Sequence, residues 1–94
     1  MYFALFYETV DNFVERRQPV REEHLAAVRT AHAAGTLVMA GALKPADGAL
    51  LVFRGDAASV AEQFARADPY VTHGLVKSWR VREWTVVIGG EKSG

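Results

Sequence analysis

Residues 19–35, PVREEHLAAVRTAHAAG, read as one complete helix, and how that helix is placed decides how the rest of the chain folds around it. Pro19 suits a first helical position, where its missing N–H is no loss, and Gly35 suits a left-handed stop just past the last turn. At about 100° per residue, Val20, Ala27, Val28 and Ala31 fall on one side, with Glu22, Glu23, Arg29 and Thr30 largely on the other. His24 projects from the apolar side. A histidine there is either a packed side chain with its ring nitrogens satisfied, or a group held away from bulk water so that it can exchange a proton. On periodicity alone the packing reading comes first.

On the N-terminal side, residues 2–7 (YFALFY) are apolar or aromatic throughout, as in a short strand covered on both faces and central in its sheet. Asp11 is placed to cap a single turn through Phe13 and Arg17, and the segment up to Gln18 reads as a flap over a pocket. Beyond the helix, residues 36–43 form a second strand, small and apolar, with Gly41 leaving a gap where a side chain would stand. Pro45-Ala46-Asp47-Gly48 supplies a turn into a third strand over 49–53. Gly55-Asp56 ends it and offers an N-cap. Residues 57–67 then form a helix with an apolar stripe of Ala57, Val60, Ala61 and Phe64, which stops before Pro69. After a short link over 70–74, a long fourth strand runs from Leu75, with a bend or bulge near Glu83 because the apolar phase shifts at Trp84, Val86 and Ile88.

Strand, helix, strand, strand, helix, strand gives two split β-α-β units. The expected fold is therefore α+β and ferredoxin-like, a four-stranded antiparallel sheet with two helices on one face. One domain spans 1–88, and 89–94 form a small polar tail that frays. The other sheet face is left bare. Phe3, Leu5, Val38 and Trp79 are expected to line it, which predicts a homodimer or a ligand cavity between two sheets.

The chain has 94 residues, half of them hydrophobic, with 11 Lys and Arg against 11 Asp and Glu and no cysteine. That suffices for one core and leaves no positive field for nucleic acid or an anionic membrane. Disulfides and thiolate chemistry are excluded. The apolar start lacks a basic leader and reaches Glu8 too soon for a signal peptide or a membrane span, so the expected location is cytoplasmic. The expected partners are a second copy of the chain and a small molecule.

The acid and base groups narrow to a few. His32, near the C-terminal end of the helix, reads as structural. Asp68 is held extended by Pro69; its carboxylate either caps nearby backbone N–H groups or orients the His24 imidazole, as the acid does in a catalytic triad. Arg21, Tyr70 and His73 are the candidates for binding substrate, Arg21 by holding an anion; each is also readable as a surface or packing residue. No spacing supplies a convergent metal-ligand set, and no cofactor motif is present. What remains is proton transfer or ligand binding by a small dimer.

Arg21-Glu22-Glu23-His24-Leu25, followed by Gly35, Ala40-Gly41, Phe53 and Ala67-Asp68-Pro69-Tyr70-Val71, resembles the YciI-related (YCII) family in order and spacing, from Met1 to about Val87. The resemblance implies a dimeric α+β barrel of two ferredoxin-like protomers, related in fold to muconolactone isomerases and small cofactor-free monooxygenases. It implies an active site made by a histidine and an aspartate, matching His24 and Asp68, in a family where a few relatives remove chloride from chlorinated hydroxyquinones. The hairpin loop here is shorter than in some members. The leading expectation is a small acid/base enzyme of isomerase or lyase type. The alternatives are a non-catalytic ligand-binding or structural dimer, and a cofactor-free monooxygenase.

Overall fold

The computed structural model describes residues 1–90. Four strands, β1 (Tyr2–Thr9), β2 (Leu37–Ala42), β3 (Gly48–Arg54) and β4 (Val76–Trp84), form one antiparallel sheet in the order β2-β3-β1-β4. Helices α2 (Arg21–Ala33) and α3 (Ser59–Ala67) supply the two long crossovers, and single-turn helices α1 (Phe13–Arg16) and α4 (Pro69–Thr72) flank them. This is the ferredoxin-like βαββαβ arrangement. Among the described residues no helix is long and apolar enough to cross a membrane.

The central place of β1 follows from its composition, since a strand flanked on both edges can use the unbroken apolar run from Tyr2 to Tyr7. Its alternation puts Phe3, Leu5 and Tyr7 against the helices. There they join Leu37, Leu51 and Phe53 from the neighbouring strands and Ala61 and Ala65 from α3 in one buried cluster. Both alanines are fully buried, so α3 lies close on the sheet. Strand pairing is face-preserving, so Trp79 and Val81, opposite Tyr7 and Leu5, lie on this covered face as well.

The bare face therefore differs from the expected one. Phe3, Leu5 and Trp79 point toward the helices, and Val38 sits where the register shifts between Leu37 and Met39, handing the bare-face position to Met39. The face turned away from the helices carries Ala4, Phe6, Leu50 and Val52, of which Ala4 and Val52 are buried within the chain, with Arg80 stacked over Phe6 at 4.8 Å. The cause is physical. A strand apolar at every position has no alternation from which its phase can be read.

Several ends also differ. The helix starts at Arg21, with Pro19 in the preceding turn, while Gly35 does take the left-handed stop (φ +85°), with Thr36 N–H donating back to the Ala31 carbonyl. Asn12, in the left-handed region, stands where Asp11 was expected to cap α1, and α3 is entered at Ala58 without a side-chain cap from Asp56. The link after Asp68 forms the extra turn α4. β4 stops at Trp84, which pairs with Tyr2, the first residue of β1, so no partner strand continues beyond it. Its register shift lies at the other end, between Glu8 and Thr9. Val87 and Ile88 are exposed. Of the expected tail, Gly89 and Gly90 are described, and 91–94 lie outside the described residues.

Leu5 is fully buried at the centre of the sheet. Leu5→Ala is expected to lower stability by about 2–5 kcal/mol, whereas Met39→Ala on the bare face costs less than about 1 kcal/mol. Urea unfolding at neutral pH measures both.

Candidate active site

Pro69 forbids Asp68 a helical conformation, so α3 ends there and the chain turns with Asp68 extended (φ −63°, ψ 124°). Pro69 then occupies the first position of α4, and the Asp68 side chain caps that turn by accepting from the Tyr70 N–H at 3.0 Å. The same oxygen, Oδ1, lies 2.7 Å from Nδ1 of His24. The other, Oδ2, accepts from the Tyr7 hydroxyl at 2.7 Å. The two readings of Asp68, backbone cap and partner of His24, thus hold together in one carboxylate.

An ionised carboxylate is acceptor-only, so its contact with the imidazole fixes hydrogen on Nδ1 and leaves Nε2 as the free nitrogen when the ring is neutral. Asp68 is fully buried in its side chain, while that of His24 retains 13% exposure. Tyr70 stacks on the imidazole at 3.7 Å between ring centroids and 7° between planes, and Phe13 meets Tyr70 edge-on at 5.2 Å. The ring is thereby fixed in plane as well as at one nitrogen.

Beside it opens a pocket of about 300 Å³ between α2 and the sheet, at the lower end of small-molecule sites. Ala40, Ala42 and Ala49 make the room on β2 and β3, and Leu25, Val28 and Leu51 make it apolar. This hollow therefore lies on the helix-covered face. Gly41 pairs with Leu50, so the gap it leaves opens on the other face of the sheet, where an added Cβ would meet nothing within 4 Å.

His24, Arg21 and Tyr70 all line this pocket, with Asp68 directly behind the imidazole. His73 does not belong to it. Its exposed ring donates from Nδ1 to the Pro69 carbonyl at 2.9 Å, finishing α4, and the left-handed Gly74 (φ +74°) then turns the chain into β4. His32 is exposed in the last turn of α2. Among the described residues no three His, Asp or Glu converge as metal ligands.

Sequence reasoning missed Tyr7 and Arg17. A tyrosine in an otherwise apolar central strand was the available signal, because a buried hydroxyl needs a partner. Burial, then the Asp68 charge, then the hydrogen bond to it all push the Tyr7 phenol far up, so it stays a donor. Burial also raises Tyr70, against the lowering fields of Arg17 and Arg21. Arg21 stands beside that hydroxyl without completing hydrogen-bond geometry.

An uncharacterized protein from Haemophilus influenzae is 29% identical over 85 aligned residues, covering 80% of this chain and 87% of that one. Among solved structures, the fold is similar to 5-chloro-2-hydroxyhydroquinone dehydrochlorinase (TftG) from Burkholderia phenoliruptrix in complex with 2,5-dihydroxybenzoquinone. The TM-score is 0.77 at 19% identity, over 90% of this chain and 94% of that chain. A NIPSNAP family protein from Agrobacterium tumefaciens is similar with a TM-score of 0.56 at 20% identity, over 86% and 87% of the two chains. The likenesses to solved structures are likenesses of fold. The YCII-related domain matches residues 1–85, nearly the whole chain, and the protein belongs to that family.

Proposed function

We propose that the chain is a small acid/base enzyme in which His24, aimed by Asp68, moves a proton on a small organic substrate bound in the adjoining pocket. The observation that carries this is the Nδ1 contact at 2.7 Å to a fully buried carboxylate, on a ring that itself lines the hollow. Neutral His24 takes a proton at Nε2 from a substrate carbon, and Asp68 stabilises the imidazolium that forms. Returning that proton to a different carbon completes an isomerisation. Loss of an anionic leaving group from the neighbouring carbon, with the proton passing to water, completes an elimination. Arg21 and Tyr70 hold the substrate. The dehydrochlorinase activity of TftG, on the same fold, makes 5-chloro-2-hydroxyhydroquinone the first compound to try.

A purely structural dyad is the second reading, favoured by the complete satisfaction of Asp68 by three donors. The two readings differ in thermal stability, since a structural pair loses stability on mutation and a functional one can gain it.

We also propose a homodimer formed through the bare sheet face. The half-buried Phe6 and Leu50, the exposure of Met39 and Trp84, and the likeness to a dimeric barrel support it. Light scattering at micromolar concentration is expected to give twice the chain mass, and the double variant Met39→Glu, Leu50→Glu half of that. A wild-type chain that runs only as monomer ends this proposal.

The dyad is tested with and without substrate. Nitrogen NMR is expected to find neutral His24 as the Nδ1–H tautomer; the opposite tautomer contradicts the mechanism. Chloride release from the quinol, or solvent deuterium uptake by a panel of lactones and hydroxyquinones, is expected to fall at least about 10²-fold in His24→Ala and Asp68→Asn. Activity surviving in folded variants would falsify the reading.

Tyr7 gives a pH prediction. Its phenol titrates higher in the folded chain than near 10 in the unfolded one, so the unfolded state loses this proton first. The stability contributed is complete below about pH 10 and falls as pH rises beyond it. Tyr7→Phe is expected to flatten that alkaline decline while costing about 1–3 kcal/mol at neutral pH, through the lost bond to Asp68. Urea titrations from pH 7 to 11 read both effects.

A further inference from the structure

The pocket beside His24 carries two positive side chains and no carboxylate of its own. Arg17 closes α1 and Arg21 opens α2, and both line the pocket across the turn between those helices. Among the described residues neither guanidinium is in an ion pair. The Phe13 ring lies 5.3 Å from Cζ of Arg17 and holds that guanidinium at the pocket wall rather than in open water.

Two buried polar atoms here lack partners among the described residues, Nε of Arg17 and the hydroxyl of Tyr70. Tyr70 itself is only 4% exposed. Two guanidiniums that line one pocket, with no ion pair among the described residues and no carboxylate in the lining, point to a group from outside. Its nature follows from the donors. A guanidinium accepts nothing, and a phenol pushed upward by burial keeps its proton, so all three side chains ask for an acceptor, and two of them for negative charge. Across the hollow, Leu25, Val28 and Leu51 offer no polar side-chain atom.

Building on the reading of this pocket as the functional site, we infer that its substrate is an organic carboxylate. The carboxylate is clamped by Arg17 and Arg21 with the Tyr70 hydroxyl between them, and its apolar body lies along the aliphatic wall in reach of His24. Planar guanidinium forks match a carboxylate with paired hydrogen bonds, which a single surface charge does not. The same two cations offset the negative charge that grows on the substrate when His24 removes a proton. Arg17 is thus a specificity-determining residue beside the dyad.

The test titrates the full-length protein with benzoate and with benzamide, a pair alike in shape and different in charge, following the His24 and Tyr70 signals by NMR. Benzoate is expected to bind at least about tenfold more tightly than benzamide, and more weakly as salt is raised. The double variant Arg17→Gln, Arg21→Gln is expected to lose that preference, and Arg29→Gln on the outer face of α2 to keep it. Equal affinity for the two probes overturns the carboxylate clamp, as does benzoate binding that survives in the double variant or fails in the wild type. None of these outcomes touches the tautomer of His24 or the proton exchange of the dyad, by which the underlying reading is judged separately.

Discussion

A buried carboxylate must be satisfied on every side, and in this fold that requirement falls on Asp68. Its side chain has no exposed surface, and it accepts from the Tyr7 hydroxyl on β1, the His24 ring on α2 and the Tyr70 N–H on α4. A charge taken out of water without such partners would cost several kcal/mol. Three elements far apart in sequence, at positions 7, 24 and 68–70, are thus committed to one another by a single group. Pro69 makes the commitment local as well, because it ends α3 and begins α4 with Asp68 already extended between them.

The imidazole inherits its order from that arrangement. Asp68 fixes one nitrogen, and the stacked Tyr70 ring, braced edge-on by Phe13, fixes the plane. Neither restraint uses the other nitrogen. An acid/base group gains from being aimed before the substrate arrives, since orientation then need not be supplied during the reaction. Two cations on the same wall add a directional field to a pocket whose remaining surface is largely aliphatic.

How much of this was legible follows from what each residue's pattern could carry. The order of elements was readable because short apolar runs alternate with stretches of 3.6-residue period and because Gly35 and Pro69 punctuate them. His24 stood out as an ionisable group on an apolar stripe, and Asp68 as a residue whose backbone is dictated by its neighbour. The face of β1 was not readable, since YFALFY offers the same greasiness on both sides, and this misplaced Phe3, Leu5 and Trp79. The end of β4 was equally out of reach, being set by where β1 begins. Arg17 gave no periodic signal, because its place at the pocket depends on the turn between α1 and α2. His73 looked like Arg21 and Tyr70 in sequence, yet one further step past α4 took it out of the pocket.

The emptiness beside the ring bears on whether the dyad is more than a strut. A carboxylate, a phenol and an imidazole that merely held helix to sheet would gain from close packing around them, at about 25 cal/mol for each Å² of apolar surface taken out of water. Instead the strands opposite α2 place Ala40, Ala42 and Ala49 at the hollow, where valine or leucine would fit the strand at least as well and fill the space. An unfilled apolar hollow forgoes both dispersion contacts and burial. The hollow forgoes them next to an imidazole held on two sides, and among the described residues neither guanidinium on the same wall is in an ion pair.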